Sequence, residues 1–131
     1  MKIAQRNDWK TEIFPSTSKS IVVDRTYSKS EFEKIIVGTI PEEMEDKWFV
    51  FYEEPWLYLH RSWTGFCVFK VRFEMVDDKV QITEVWVNRN PEQYKETDDS
   101  RDRNLLEILL DYRAGYDTRS QSISYAKSLS E

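Results

Sequence analysis

Residues 47–88 read KWFVFYEEPWLYLHRSWTGFCVFKVRFEMVDDKVQITEVWVN, and this stretch decides the fold. It contains four runs, KWFVFYEE, WLYLHRS, GFCVFKVRFEMV and KVQITEVWV, each rich in β-branched and aromatic residues. The separators EEP, WTG and DDK have turn composition. Connections this short cannot carry a chain back for parallel pairing, so the four runs predict an antiparallel meander.

Alternation assigns faces to these strands. In the third run Cys67, Phe69, Val71, Phe73 and Met75 share one side, which is dry along its whole length. Lys70, Arg72 and Glu74 share the other side with Phe66 and Val68, so that side becomes wet toward one end. In the first run both sides are apolar. In the fourth, Val80 and Ile82 have one parity and Val85 and Val87 the other. A β-bulge near Thr83 and Glu84 reconciles them.

Working outward, PSTSKS at 15–20 reads as a loop and IVVDR at 21–25 as a short edge strand. SEFEKIIVG follows with a capping-box pattern at Ser30 and Glu33 and an apolar face of Phe32, Ile35 and Ile36; Gly38 and Pro41 stop it. A second amphipathic helix covers SRDRNLLEILLDYRAG, with a stripe of Leu105, Leu106, Ile108, Leu109 and Tyr112, a cap at Asp99 or Ser100 and an end at Gly115. Together these elements predict one α+β domain over 1–131: a four- to five-stranded meander packed on one face by two helices, a two-layer sandwich. Residues 116–131, polar and Ser-rich, are either a loose tail or a short helix docked through Ile123, Tyr125 and Leu129.

Composition narrows function by exclusion. The net charge of -5 and the lack of a strongly basic stretch disfavour nucleic acid as the main partner. A single cysteine, Cys67, forbids an intrachain disulfide or a cysteine zinc cluster, and its apolar setting suggests a small buried hydrophobe. Three glycines leave no phosphate-binding loop or dinucleotide fingerprint, and one histidine leaves no two-histidine metal site, so no cofactor or metal is expected. No stretch matches a signal peptide or a membrane span, and cytoplasmic residence is the default expectation.

The candidate site lies in LHRSWTGFC at 59–67. His60 shares a strand face with Trp56, Tyr58 and Ser62; Arg61 falls with Leu57, Leu59 and Trp63 on a mostly apolar face. A guanidinium there needs a carboxylate such as Glu53, Glu84 or Glu107 or an aromatic ring, or else a bound anion. In the second case Arg61 is an anion anchor, with Ser62 and Thr64 supplying hydroxyls. Two helices cannot cover both sheet faces, so rings among Trp48, Tyr52, Trp56, Tyr58 and Trp86 are expected to be exposed, as an interface or a seat for a planar ligand. A homodimer across that face would hide them.

The segment WFVFYEEPWLYLHRSWTGFCVFKVRF resembles a stretch of uncharacterised small bacterial or phage-type domains, in which an aromatic hairpin leads into H-R-S-W-T-G. The resemblance covers residues 47–73, is most specific from His60 to Gly65, and implies no activity. The functional expectation is therefore a small acidic binding module, of the kind inhibitors and immunity-type proteins often are. It would hold a protein partner or small anionic ligand through Arg61, His60, Ser62, Thr64, Trp56, Trp63, Trp86 and Tyr58. The alternative is a small enzyme on a phosphorylated or nucleotide-like substrate, with Arg61 holding the anion and His60 as acid or base.

Overall fold

The computed structural model of the chain describes residues 2–130 and has the α+β architecture expected. Strands β1 (Ser18–Ile21), β2 (Thr26–Ser28), β3 (Trp48–Glu53), β4 (Trp56–Arg61), β5 (Cys67–Val76) and β6 (Lys79–Asn88) form one antiparallel sheet. Its order is β1-β6-β5-β4-β3, with β2 also on β6. Helices α1 (Lys29–Val37) and α2 (Asp99–Ala114) pack on one face, and α3 (Arg119–Leu129) lies against α2. Among the described residues no helix is long and apolar enough to cross a membrane.

The principal core is the dry face. Val50, Leu57, Leu59, Phe69, Val71, Phe73, Val80, Ile82, Val85 and Val87 of the sheet meet Ile35 of α1 and Leu106, Leu109 and Leu110 of α2. Val80, Ile82, Val85 and Val87 all reach it because Arg72 pairs with Glu84 and Phe73 with Ile82, leaving Thr83 as the extra residue of a bulge. The parity conflict in the sequence is thus resolved where expected. The edge strand divides beside this bulge: β1 and β2 pair on either side of it, rather than IVVDR forming one strand.

A second bulge has no sequence signature. Leu59 pairs with Phe69 and His60 with Cys67, so Val68 is the extra residue. Val68 joins Phe69 in the main core, and Cys67 faces the opposite side from Phe69, contrary to simple alternation. The dry face also ends before the β5–β6 turn, because Met75 extends past the helical layer and is 59% exposed.

Helix boundaries follow local chemistry with shifts. The capping box of α1 is Ser28 and Glu31, not Ser30 and Glu33: the Ser28 Oγ accepts from the Glu31 N–H and the Glu31 carboxylate from the Ser28 N–H. Gly38 ends α1 at φ 77°, and a Cβ there would lie 2.1 Å from the Val50 carbonyl oxygen. Asp98, rather than Asp99 or Ser100, caps α2 by accepting from the Ser100 and Arg101 N–H groups; Gly115 closes it in the left-handed conformation. The inward stripe of α2 is also rotated. Leu110 and Ala114 are buried, whereas Tyr112 is 67% exposed. Buried Asp102 and Asp111 join it because tyrosines satisfy them, Tyr94 donating to Asp102 at 2.6 Å and Tyr27 to Asp111 at 2.7 Å. In α3, Ile123 and Leu129 are exposed and Tyr125 is half-buried.

The other sheet face carries a row formed by register, Phe51–Tyr58–Lys70–Trp86–Ser20. It is not open. Residues 2–17 run across it as a strap. Ala4 packs on Phe49 and Phe51, and the Arg6 guanidinium lies 4.8 Å from the Phe51 ring centroid while pairing with Glu53 at 2.8 Å. The Phe14 ring receives the Lys70 ammonium.

Candidate anion-binding cleft

The turn between β4 and β5 is built almost entirely from its own backbone. The Arg61 N–H donates to the Phe66 carbonyl, and the Gly65 N–H to the Arg61 carbonyl, both at 2.9 Å. Gly65 has φ 82°, and a Cβ there would meet the Lys10 carbonyl oxygen at 3.2 Å, so glycine suits both conformation and space. The strap locks the turn from outside. The Glu12 N–H donates to the Gly65 carbonyl at 2.8 Å and the Trp9 indole N–H to the Ser62 carbonyl at 2.7 Å.

Within this corner the candidate residues separate. His60 is only 1% exposed, stacked 5.4 Å from Phe51, with Nδ1 2.8 Å from the Gly65 carbonyl oxygen. That contact makes Nδ1 the protonated nitrogen, and Nε2 is buried without a partner among the described residues. Burial first, and the Arg6 cation after it, hold the imidazole below its ordinary range against the opposing Gly65 contact. Ser62 is equally buried, its hydroxyl donating to the Asp46 carbonyl at 2.7 Å. Both are parts of the corner's architecture. Trp56, Tyr58 and Trp86 lie on the strap-covered face, half-buried. The sheet therefore stands between them and Arg61.

Arg61, Trp63 and Thr64 do converge. With Lys47 and Gln93 they line a cleft of about 200 Å³ at the end of the sheet, on the helical side. Arg61 pairs in register with Trp48 and lays its guanidinium 4.6 Å from that ring's centroid. No carboxylate reaches it among the described residues. The three expected candidates are engaged elsewhere: Glu53 with Arg6, Glu84 with the Trp86 indole N–H at 2.6 Å, and Glu107 with Arg25 at 3.3 Å. Every other arginine side chain donates to an oxygen; Arg61 alone donates to none among the described residues.

The remaining lining has the same character. Lys47 is exposed and forms no salt bridge among the described residues. The Gln93 side-chain oxygen accepts from Asn88 at 2.9 Å, which leaves its NH₂ without an acceptor among the described residues. The Thr64 hydroxyl accepts from the Phe66 N–H at 3.2 Å, leaving its proton free. Among the described residues no carboxylate lines this concavity. Its lining side chains carry two cations and several further donors.

No family model, curated protein or solved structure matches the chain. Function is accordingly argued from the site, since fold alone does not specify it. Two lining residues, Lys47 and Gln93, were not singled out from sequence. Lys47 was within reach, because the β3–β4 register that sets Trp48 opposite Arg61 also brings Lys47 to the corner, where its carbonyl accepts from the Ser62 N–H at 2.9 Å. Gln93 sits in an irregular connection after β6, with no local pattern to mark it. Among the described residues no group of three or more His, Cys, Asp or Glu side chains is arranged to hold a metal ion.

Proposed function

We propose that this protein is a non-enzymatic binding module whose cleft receives an anionic group, a carboxylate or a phosphate, on Arg61 and Lys47. The observation that carries this reading is the Arg61 guanidinium, which lines the cleft with its N–H donors unused among the described residues while resting on Trp48. Stacking on an indole lowers the cost of partly burying the cation and leaves its edge free for a bidentate acceptor. Gln93 and Thr64 extend the donor set without adding an opposing charge. The enzyme reading is less well supported: His60 is buried away from the cleft, and among the described residues no lining side chain is a carboxylate or imidazole.

Titration with inorganic phosphate and with acetate, followed by thermal unfolding, tests this. A ligand at ten times its Kd adds about 1.4 kcal/mol to the folded state, a rise of roughly 5 °C for a chain of this size. Arg61→Ala is expected to abolish the rise and Arg61→Lys to keep part of it. An equal rise in Arg61→Ala, or none in the parent chain at saturating concentrations of either anion, would refute the reading.

A further inference from the structure

We infer that the Arg61 cleft is one half of a docking surface for an extended segment of another protein, one bearing an acidic side chain and, two residues along, an apolar one. This rests on the anion-binding reading and names the partner class for the same site. The cleft's size is the first indication. At about 200 Å³ it accommodates a side chain, whereas pockets that enclose whole small-molecule ligands run to roughly 300–1,000 Å³. That volume suits a side-chain carboxylate carried by a larger partner.

The second indication is what adjoins it. Trp63 forms a wall of the cleft and also of a neighbouring groove of about 500 Å³, which continues through Met44 and Trp9. These three side chains make a contiguous apolar ridge, Trp63 62%, Met44 72% and Trp9 37% exposed. Neither indole is free to reorient. The Trp63 N–H donates to the Met44 carbonyl at 2.9 Å and the Trp9 N–H to the Ser62 carbonyl at 2.7 Å. Pre-ordered aromatic anchors lose little conformational freedom on association and are typical centres of binding energy.

Charge and spacing then specify the occupant. Lys47 and Arg61 flank one side of Trp63 and demand an acid there. Glu42 and Glu43 line the groove on the other side against a single cation, Lys10, so its net charge disfavours a second acid. The two concavities are separated by one indole ring, and same-face residues of an extended chain lie about 7 Å apart. An acid–any residue–apolar pattern spans that ridge with both side chains pointing down.

Selection of displayed random heptapeptides on the full chain, with counter-selection on Arg61→Ala, tests the inference. The expected result is enrichment of an Asp or Glu two positions from Leu, Ile, Met or Phe. Capped synthetic versions should shift the Trp63 and Trp9 indole N–H resonances of the ¹⁵N-labelled protein. Replacing the acid by Lys, or the apolar residue by Ser, should weaken binding at least five-fold, and Met44→Ser should erase the apolar preference. If phosphate or acetate binds in an Arg61-dependent way but no such pattern is enriched, the docking surface is wrong and the anion cleft stands. If neither anions nor peptides bind, both fall. Self-association in sedimentation runs that Trp63→Ala abolishes would make a second copy the occupant and overturn the peptide assignment.

Discussion

At the scale of single residues, the decisive contrast is between neighbours, His60 and Arg61. The imidazole is enclosed by Phe49, Phe51 and the strap, with no acceptor for a proton on Nε2 among the described residues, so its charged form is disfavoured when folded. Its folded pKa lies below the ordinary value of 6.5, while the unfolded chain takes up a proton near 6.5. The unfolded state then binds more protons in that window, and stability falls as pH drops from about 6.5 toward the folded value. The groups near the ring do not reverse this: Arg6 is cationic throughout, and burial pushes the Cys67 thiol up to about 12. Asp8 and Glu53 are held below 3.8 and 4.5 respectively, so they lose their contribution only in stronger acid. Chemical denaturation of His60→Phe at pH 7.5 and 5 is expected to show a smaller loss on acidification than the parent. Equal losses would remove the buried imidazole from the pH response. Alternation placed Arg61 on the helical side correctly. That it lacks a carboxylate among the described residues was not legible, because Glu53, Glu84 and Glu107 acquire other partners only through tertiary contacts.

At the scale of elements, legibility tracks how strongly polarity constrains register. The Thr83 bulge could be read because Val80 and Ile82 conflict with Val85 and Val87 across intervening polar residues. The Val68 bulge could not, since both sides of β5 are apolar there and a slip exchanges one hydrophobe for another. The α1 cap was ambiguous for a related reason: Ser28–Glu31 and Ser30–Glu33 both have the capping-box spacing. Pairing of Tyr27 with Val80, which holds the chain extended up to Ser28, selects the earlier pair. Deleting Thr83 is the sharp test of the legible bulge. Without the extra residue, either Val80 and Ile82 or Val85 and Val87 must leave the core, along with the β1 and β2 contacts on either side. Burying fewer of these side chains forfeits about 1.5–3 kcal/mol for each one exposed. Far-UV circular dichroism on heating is therefore expected to lose its cooperative transition in the deletion variant, whereas Thr83→Ser, which keeps the spacing, retains it. A cooperative melt at the parent temperature after deletion would show that the bulge is dispensable.

At the scale of the whole molecule, the arrangement turns on a segment with no periodicity of its own. Residues 2–17 show neither a 3.6- nor a 2-residue pattern, yet they cover the aromatic face that sequence reasoning left exposed. The two helices do pack on one face only, as expected; the strap covers the other, so the premise of an open aromatic surface does not hold. Its anchors are long-range: the Ala4 N–H donates to the Val37 carbonyl, the Glu12 N–H to Gly65, and the Trp9 indole to Ser62. The last two fall on the corner that presents Arg61, Trp63 and Thr64, so one segment both shields the sheet and stiffens the cleft. A chain lacking residues 2–14 is expected to expose Phe49, Phe51 and Tyr58, to bind a hydrophobic dye and to self-associate in sedimentation velocity. Ala4→Glu, which sets a charge against Phe49 and Phe51 without shortening the chain, should move the same observables less while retaining sheet dichroism, separating face exposure from unfolding. Trp9→Phe keeps the cover but removes the indole bond to Ser62, so it should sediment as the parent does while binding phosphate more weakly. If the shortened chain took up no dye and sedimented like the parent, the face would need no cover. In that event the strap's contribution would lie at the corner alone.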